Sequence, residues 1–211
     1  MQEEDFSSQN VNPVVSSVKE SPNGYRYLLS NGASFFVHIS RKPEINLNPD
    51  DTVPDDLLRL LEEINQFSQA IIQAVIYLNL RDHSEKELEL KLRKKNYSIK
   101  VIEDVCCSLA ERGLINDENF AENFVISRIR KGRYSRNEII VQLQTKGINR
   151  DVISSVLDEY YTEEENDKAL NYHIEKLSRK KNTTNEKITA SLQRKGFRYT
   201  DIAEALADIH K

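Results

Sequence analysis

Residues 114–148 decide the fold class, and they read LINDENFAENFVISRIRKGRYSRNEIIVQLQTKGI. Their first half carries an apolar stripe at i, i+1, i+4 and i+5, formed by Phe120, Ala121, Phe124 and Val125. This spacing is typical of a helix and not of a strand, and Asn116 or Asp117 can cap its start. The second half begins with Ser135 and has Glu138 three residues later, which is the capping-box pattern of a helix start. The stretch therefore predicts two capped helices, the second of which ends at Gly147.

The same pattern occurs three times along the chain. Leu92, Leu143 and Leu192 are spaced 51 and 49 residues apart. Each copy opens with Ser or Thr and closes with a short turn motif: Ser84 and Lys95-Asn96-Tyr97, Ser135 and Lys146-Gly147-Ile148, Thr184 and Lys195-Gly196-Phe197. The turn needs a positive φ, which suits Gly and, next best, Asn. In the third copy the capping box is predicted one residue earlier, at Thr183 and Glu186.

Each copy also has an upstream helix that ends in a basic residue, Arg81, Arg128 or Lys176. The chain has no proline in the 157 residues after Pro54, as expected of a helical region. The sequence therefore predicts a mainly α fold, a tandem array of three three-helix repeats.

The N-terminal part has a different period. Strand-forming segments alternate with the turn signals Ser21-Pro22-Asn23-Gly24 and Ser30-Asn31-Gly32, which predicts a small antiparallel β-meander packed on a helix. Its aromatic residues are interpreted as core, although a ligand-binding sheet is an alternative. The predicted division is a disordered tail at 1–12, a meander-and-helix extension at 13–66, and repeats at 67–115, 116–163 and 164–211.

Composition limits the classes of function. The net charge is −4, with 5 Lys+Arg against 11 Asp+Glu in residues 1–69 (−6), and hence 25 against 23 in residues 70–211 (+2). This balance argues against a protein that coats DNA through charge alone. Neither a nucleotide-binding loop nor a zinc-binding spacing occurs, so we expect no enzyme, no catalytic residue, no cofactor and no metal. Two adjacent cysteines, no signal peptide and no long apolar run predict a cytoplasmic protein.

Basic residues are the remaining candidates for function. The densest cluster lies between the two helices of residues 114–148, and two further groups lie in the third copy. The candidate contact residues for a partner or DNA are Arg81, Arg128, Arg130, Lys131, Arg133, Arg136, Lys146, Arg179, Lys180, Lys181, Arg194, Lys195 and Arg198. Tyr134 and Tyr199 could stack on a base or a partner side chain. The alternative is that these cations only solubilise helix ends, where positive charge suits the helix dipole.

Three of these segments resemble the RecX family. They are GLINDENFAENFVISRIRKGRYSRNEIIVQLQTKGI, AVIYLNLRDHSEKELELKLRKKNY and QRKGFRYTDIAEAL, and the resemblance covers about residues 70–206. Two departures are Asn96, where the family usually has Gly, and Asn116, where it often has Asp.

The resemblance implies a non-enzymatic regulator that binds the RecA recombinase filament. It would act on single-stranded DNA only within that filament, and would inhibit or remodel it in recombination and DNA repair. We expect a monomer that binds no membrane. The alternatives are a helix-turn-helix-like DNA-binding protein that acts without RecA, and a plain helical adaptor.

Overall fold

The fold is mainly α, with a three-stranded sheet near the N-terminus. The structure is a computed structural model that describes residues 12–180 and 183–209. The predicted tail therefore lies outside the described residues except for Asn12. Within the described ranges the helices are α1 Asp55–Leu80, α2 Glu85–Arg93, α3 Ile99–Glu111, α4 Asp117–Ile129, α5 Arg136–Thr145, α6 Arg150–Tyr160, α7 Glu163–Ser178, α8 Asn185–Arg194 and α9 Tyr199–Ile209. The predicted fold class, three three-helix repeats after a meander and a helix, is confirmed.

The chain divides into two compact units. The first contains Met1–Leu80 and Lys91–Ser108, and the second contains Arg81–Leu90 and Leu109–Lys211.

In the first unit the meander is formed by β1 Val15–Ser21, β2 Gly24–Leu29 and β3 Ser34–His38, antiparallel in the order β1-β2-β3. A 3-10 helix, Ile39–Glu44, follows β3. The sheet packs on α1: Phe36 donates its backbone N–H to Asn65 Oδ1 at 2.9 Å, and His38 donates to Ser68 Oγ at 2.7 Å. Tyr27 and Val37 of the sheet are buried in one hydrophobic core with Leu61 and Ile64 of α1. The sheet is therefore supported by a helix, as predicted.

Helix α1 is continuous from Asp55 to Leu80. It has no Gly or Pro to interrupt it, so the helix that supports the sheet runs on as the first helix of the first repeat. The predicted boundary between residues 66 and 67 lies inside this helix, and the one between 163 and 164 lies in the first turn of α7.

In the second unit, two repeats each have a core of their own. Val125, Ile139 and Leu143 are among the buried residues of the core built from α4, α5 and α6. Ile174, Ile188 and Leu192 take the same positions in the core of α7, α8 and α9. In the first copy, Leu88 and Leu92 are also fully buried.

The turn after each middle helix has the predicted left-handed backbone. Asn96 has φ 63°, and Gly147 and Gly196 have φ 83° and 90°. The capping box of Ser135 with Glu138 is confirmed as well. The prediction of Thr183 and Glu186 for the third copy was wrong, because Thr184 is the N-cap and accepts a hydrogen bond from the Lys187 backbone.

Candidate functional site

The densest group of candidate cations lies on the second repeat, at the end of α4 and in its connection to α5. We call it the basic patch and define it by Arg128, Arg130, Lys131, Arg133, Tyr134 and Tyr172. The first five come from one short segment, whereas Tyr172 comes from α7 of the next repeat. The patch is thus shared between two repeats.

Arg128 is held in place by two aromatic rings. Its guanidinium carbon lies 4.1 Å from the centroid of Phe124 and 4.9 Å from that of Tyr134, distances suited to cation–π attraction. Its Nε donates a hydrogen bond to Gln142 Oε1 at 2.9 Å. Arg128 therefore contributes a fixed, half-buried positive charge to the patch.

Arg133 joins the patch to the third repeat. Its exposed guanidinium lies 5.4 Å from the centroid of Tyr134, and interaction with the hydroxyls of Tyr134 and Tyr172 raises the pKa of the guanidinium. Hydrogen bonding from Arg133, with the charges of Arg128 and Lys131 nearby, lowers the pKa of the Tyr134 hydroxyl below its usual range. The direction of that shift reports a positive potential at the surface of the patch.

Two backbone carbonyls of the patch are held by side chains from other helices. His173 contacts the Arg133 carbonyl through Nε2 at 2.9 Å, and the Tyr161 hydroxyl donates to the Tyr134 carbonyl at 3.0 Å. Burial lowers the pKa of His173, which keeps the ring neutral with its proton on Nε2. Burial likewise raises the pKa of Tyr161 to about 12, so that hydroxyl stays protonated. Two consecutive carbonyls are thus fixed, and the loop presents its side chains in one arrangement.

Arg130 and Lys131 are the most available charges of the patch. Both are exposed, and neither makes a side-chain hydrogen bond or ion pair to any residue that the structure describes. Their charges are therefore open to an anionic partner, in contrast to those of several other predicted contact residues.

Lys146 and Lys195, two other candidates, bind inside the protein. At the first contact Ser84 Oγ donates to the Lys146 carbonyl at 2.7 Å, while Lys146 Nζ donates to Glu87 Oε1 at 2.6 Å. The equivalent contact occurs between the second and third repeats. Ser135 Oγ donates to the Lys195 carbonyl, and Lys195 Nζ lies 2.6 Å from Glu138 Oε1.

We call each of these contacts a repeat joint. The capped start of one middle helix, with its Ser and Glu, is the socket. The end of the next middle helix, with its Lys and Gly, is the plug. The hydroxyl therefore serves twice, because it caps its own helix and also satisfies the last carbonyls of another.

Arg81 and Arg136 are also engaged within the chain. Arg81 forms a two-bonded ion pair with Glu87, at 2.9 and 3.3 Å. Burial alone would raise the pKa of Glu87, but hydrogen bonds from Arg81 and Lys146 outweigh it and lower the pKa to about 2. Arg136 donates to the Leu157 carbonyl at 2.9 Å and pairs with Asp158. These arginines hold the fold together rather than extend the patch.

The candidate cations of the third repeat come from segments other than residues 128–134. Arg179 pairs with Glu175, and it borders an open depression along α7 that Tyr172 also borders. Lys180 and Arg198 are exposed, and Arg194 Nε donates to the Ala190 carbonyl at 3.3 Å. Lys181 lies outside the described residues.

Comparison with known proteins identifies the family. Two family models match: the first three-helix domain of RecX over residues 70–109 and the second three-helix domain of RecX over residues 116–157. The regulatory protein RecX of Pelodictyon phaeoclathratiforme is 32% identical over 143 residues, which cover 67% of this chain and 89% of that protein. The chain belongs to the RecX family. The regulatory protein RecX of Finegoldia magna is 28% identical over 183 residues, 84% of this chain and 89% of that protein.

Solved RecX structures share the fold. A crystal structure of a regulatory protein RecX aligns with a TM-score of 0.79 at 21% identity and covers 93% of this chain and 99% of its own. That of RecX from Lactobacillus salivarius aligns with a TM-score of 0.60 at 27% identity, over 69% of this chain and 97% of its own. The predicted family is thus confirmed, and its members bear the name of regulatory proteins.

In this RecX-family chain, the basic patch lies partly on residues that sequence reasoning missed. Tyr172, His173 and Tyr161 shape it, yet they lie 27 to 40 residues from the atoms they contact. One signal was present, since His173 takes the position of Phe124 when Ile174 is aligned with Val125. Among the residues that the structure describes, no group of His, Cys, Asp or Glu could hold a metal ion, and no helix has the length and hydropathy of a membrane span.

Proposed function

We propose that this protein binds the RecA recombinase filament on single-stranded DNA and inhibits or remodels it by binding alone, without catalysis. Membership of the RecX family supports a regulatory role. The single observation that supports a contact site is the basic patch, where Arg130 and Lys131 remain exposed beside a rigid framework of stacked aromatic and cationic groups.

The patch suits a partner that combines protein with phosphate. A chain with a net charge of −4 gains little from general attraction to DNA, so a local patch must act close to its partner. The exposed guanidinium of Arg133 and the faces of Tyr134 and Tyr172 can contact either a phosphate or an unstacked base. A filament of protein on single-stranded DNA offers both.

Three repeats of similar fold add a reason for preferring a polymeric partner. Successive protomers of a filament present the same surface again and again. Repeats that each bind weakly can then act together through effective concentration, because the second contact becomes intramolecular.

The proposal is tested with DNA-dependent ATP hydrolysis by RecA and co-sedimentation with the filament. Replacing Arg130, Lys131 and Arg133 with Gln should weaken filament binding at least tenfold and lower the salt slope by about one for each lost phosphate contact. The matched control replaces three exposed cations elsewhere, Lys19, Arg59 and Arg112, with Gln and changes net charge equally.

Equal binding by both triple variants would show that the patch is only a solvated helix end. If the native chain neither binds the filament nor changes ATP hydrolysis at saturation, the proposed function itself is wrong.

One observation counts against a helix-turn-helix protein that acts without RecA. The exposed residues of α5, which would be the recognition helix, are uncharged: Asn137, Val141, Gln144 and Thr145. Arg136, the basic residue at its start, is engaged with Asp158 and the Leu157 carbonyl. Tight binding to duplex DNA in the absence of RecA would favour this alternative instead.

A further inference from the structure

A second group of cations lies in the first compact unit, at the end of α2 and in its connection to α3. Residues 91–100 read KLRKKNYSIK and contain five cations and no acid, as do residues 128–136 of the second repeat. The group belongs to one unit, because its members fall within Met1–Leu80 and Lys91–Ser108. We call it the α2 surface and define it by Lys91, Arg93, Lys94, Lys95, Tyr77 and Tyr97.

Three cations of the α2 surface are open to solvent. Arg93, Lys94 and Lys95 are exposed, and none of them forms a side-chain hydrogen bond or ion pair with any residue that the structure describes. Lys95 takes the repeat position of Lys146 and Lys195, each of which binds a Glu through its ammonium group. The same position that is neutralised inside a repeat joint therefore carries a free charge in the first repeat.

The nearest acids along the same helix are already paired with other cations. Glu87 binds Arg81 and Lys146, and Glu89 pairs with Lys86 at 2.9 Å. The carboxylates of α2 are thus satisfied by cations from outside the α2 surface. An anion that binds this surface competes with none of these ion pairs.

Two aromatic rings support the cations. Lys91 Nζ lies 4.5 Å from the centroid of Tyr77, which suits cation–π attraction and holds that ammonium group in place. Burial raises the pKa of the Tyr97 hydroxyl, and nearby Tyr77 adds to the shift, so both hydroxyls stay neutral at pH 7. Both rings are half-buried, which leaves part of each available to a partner.

We propose that the α2 surface binds the phosphate backbone of a single strand of nucleic acid. Three of its four cations are Lys, a point charge that suits a row of phosphates, whereas the carboxylates of an acidic protein are better matched by the planar fork of Arg. The partly exposed tyrosine rings suit unstacked bases, which a single strand offers and a duplex does not. This contact goes beyond the proposed function, because it lies on different residues from the basic patch and requires no RecA.

The test measures binding to DNA in the absence of RecA. Fluorescence anisotropy of a labelled single strand of about 30 nucleotides, longer than one site, gives the affinity of the full chain. Replacing Arg93, Lys94 and Lys95 with Gln should weaken binding about tenfold or more at about 50 mM salt. The salt slope should fall by about two, because each lost contact to a single strand contributes about 0.7. The charge-preserving variant, Arg93→Lys with Lys94→Arg and Lys95→Arg, should bind as the native chain does.

The matched control replaces Lys19, Arg59 and Arg112, which are also exposed, with Gln and should keep the native affinity. Circular dichroism first verifies that every variant folds. An unlabelled RNA strand should compete as well as DNA, because phosphates and base faces are common to both, and failure of RNA to compete would contradict backbone binding.

The proposal is overturned if the native chain does not bind the single strand at about 50 mM salt, or if the two Gln variants bind it equally. Equal binding by both variants would mean that these cations only stabilise the end of α2. Duplex DNA that binds as tightly as the single strand, or poly-glutamate that competes as well as it does, would show that the partner class is wrong. The outcome is separate from that of the filament experiments, since no RecA is present.

Discussion

Gly147→Ala is the substitution that measures the repeat joint directly. Gly147 has φ 83°, a left-handed backbone that costs a residue with a Cβ about 1–2 kcal/mol. The added Cβ would also lie 2.5 Å from Lys86 Cβ and 2.9 Å from its Cγ. Lys86 Cβ is attached to the backbone of α2 and cannot rotate away. Overpacking of this kind costs about 1–3 kcal/mol, so the total loss of unfolding free energy should be about 2–5 kcal/mol.

Gly113→Ala is the matched control. Gly113 has φ 68°, but nothing lies within 4 Å of a Cβ built there, so this variant should lose only the backbone part of about 1–2 kcal/mol. Urea unfolding followed by circular dichroism gives both values. Removing the opposing Cβ with Lys86→Gly should recover part of the loss in Gly147→Ala and none in Gly113→Ala. Equal losses for the two alanine variants, or no recovery, would refute the close approach at the joint.

Two further predictions concern pH. Glu87 has its pKa lowered to about 2 against Arg81 and Lys146, so it stabilises the fold above about pH 4.5, and that contribution disappears as the pH falls toward 2. Glu87→Gln should therefore cost about 1–2 kcal/mol at pH 7, a value discounted for solvent screening, and only a small part of that at pH 2; an equal cost at both values would contradict the ion pair. His173 has its pKa lowered by burial, so its neutral form stabilises the fold above its usual pKa of about 6.5, and stability falls as the pH drops through the folded-state pKa. His173→Gln, which can still donate to the Arg133 carbonyl, should flatten the stability profile below pH 6.5, and an unchanged slope would show that His173 does not titrate with unfolding.

Local chemistry made the repeats predictable from sequence. Ser135 and Glu138 identify a helix start, and Asn96 and Gly147 identify turns with positive φ, because each feature needs only neighbours along the chain. The cap of the third repeat was misplaced because Thr183 and Thr184 stand side by side, and only the geometry shows which hydroxyl accepts.

The uses of the basic residues were not predictable in the same way. Lys146 and Lys195 look like surface cations in the sequence, yet their acids lie 59 and 57 residues away. Arg130 and Lys131 look no different, and they remain exposed. Separating the two classes requires knowing how consecutive repeats meet, which depends on packing and not on local propensity.

The order of the joints along the chain bears on protein synthesis. In both joints the socket precedes its plug, by 62 residues from Ser84 to Lys146 and by 60 from Ser135 to Lys195. A growing chain on the ribosome therefore exposes each finished repeat with an unclosed socket until the next repeat emerges. During that interval the unclosed socket of one nascent chain can receive a plug from a neighbouring copy on the same messenger, and the interval ends when the next repeat of its own chain has folded.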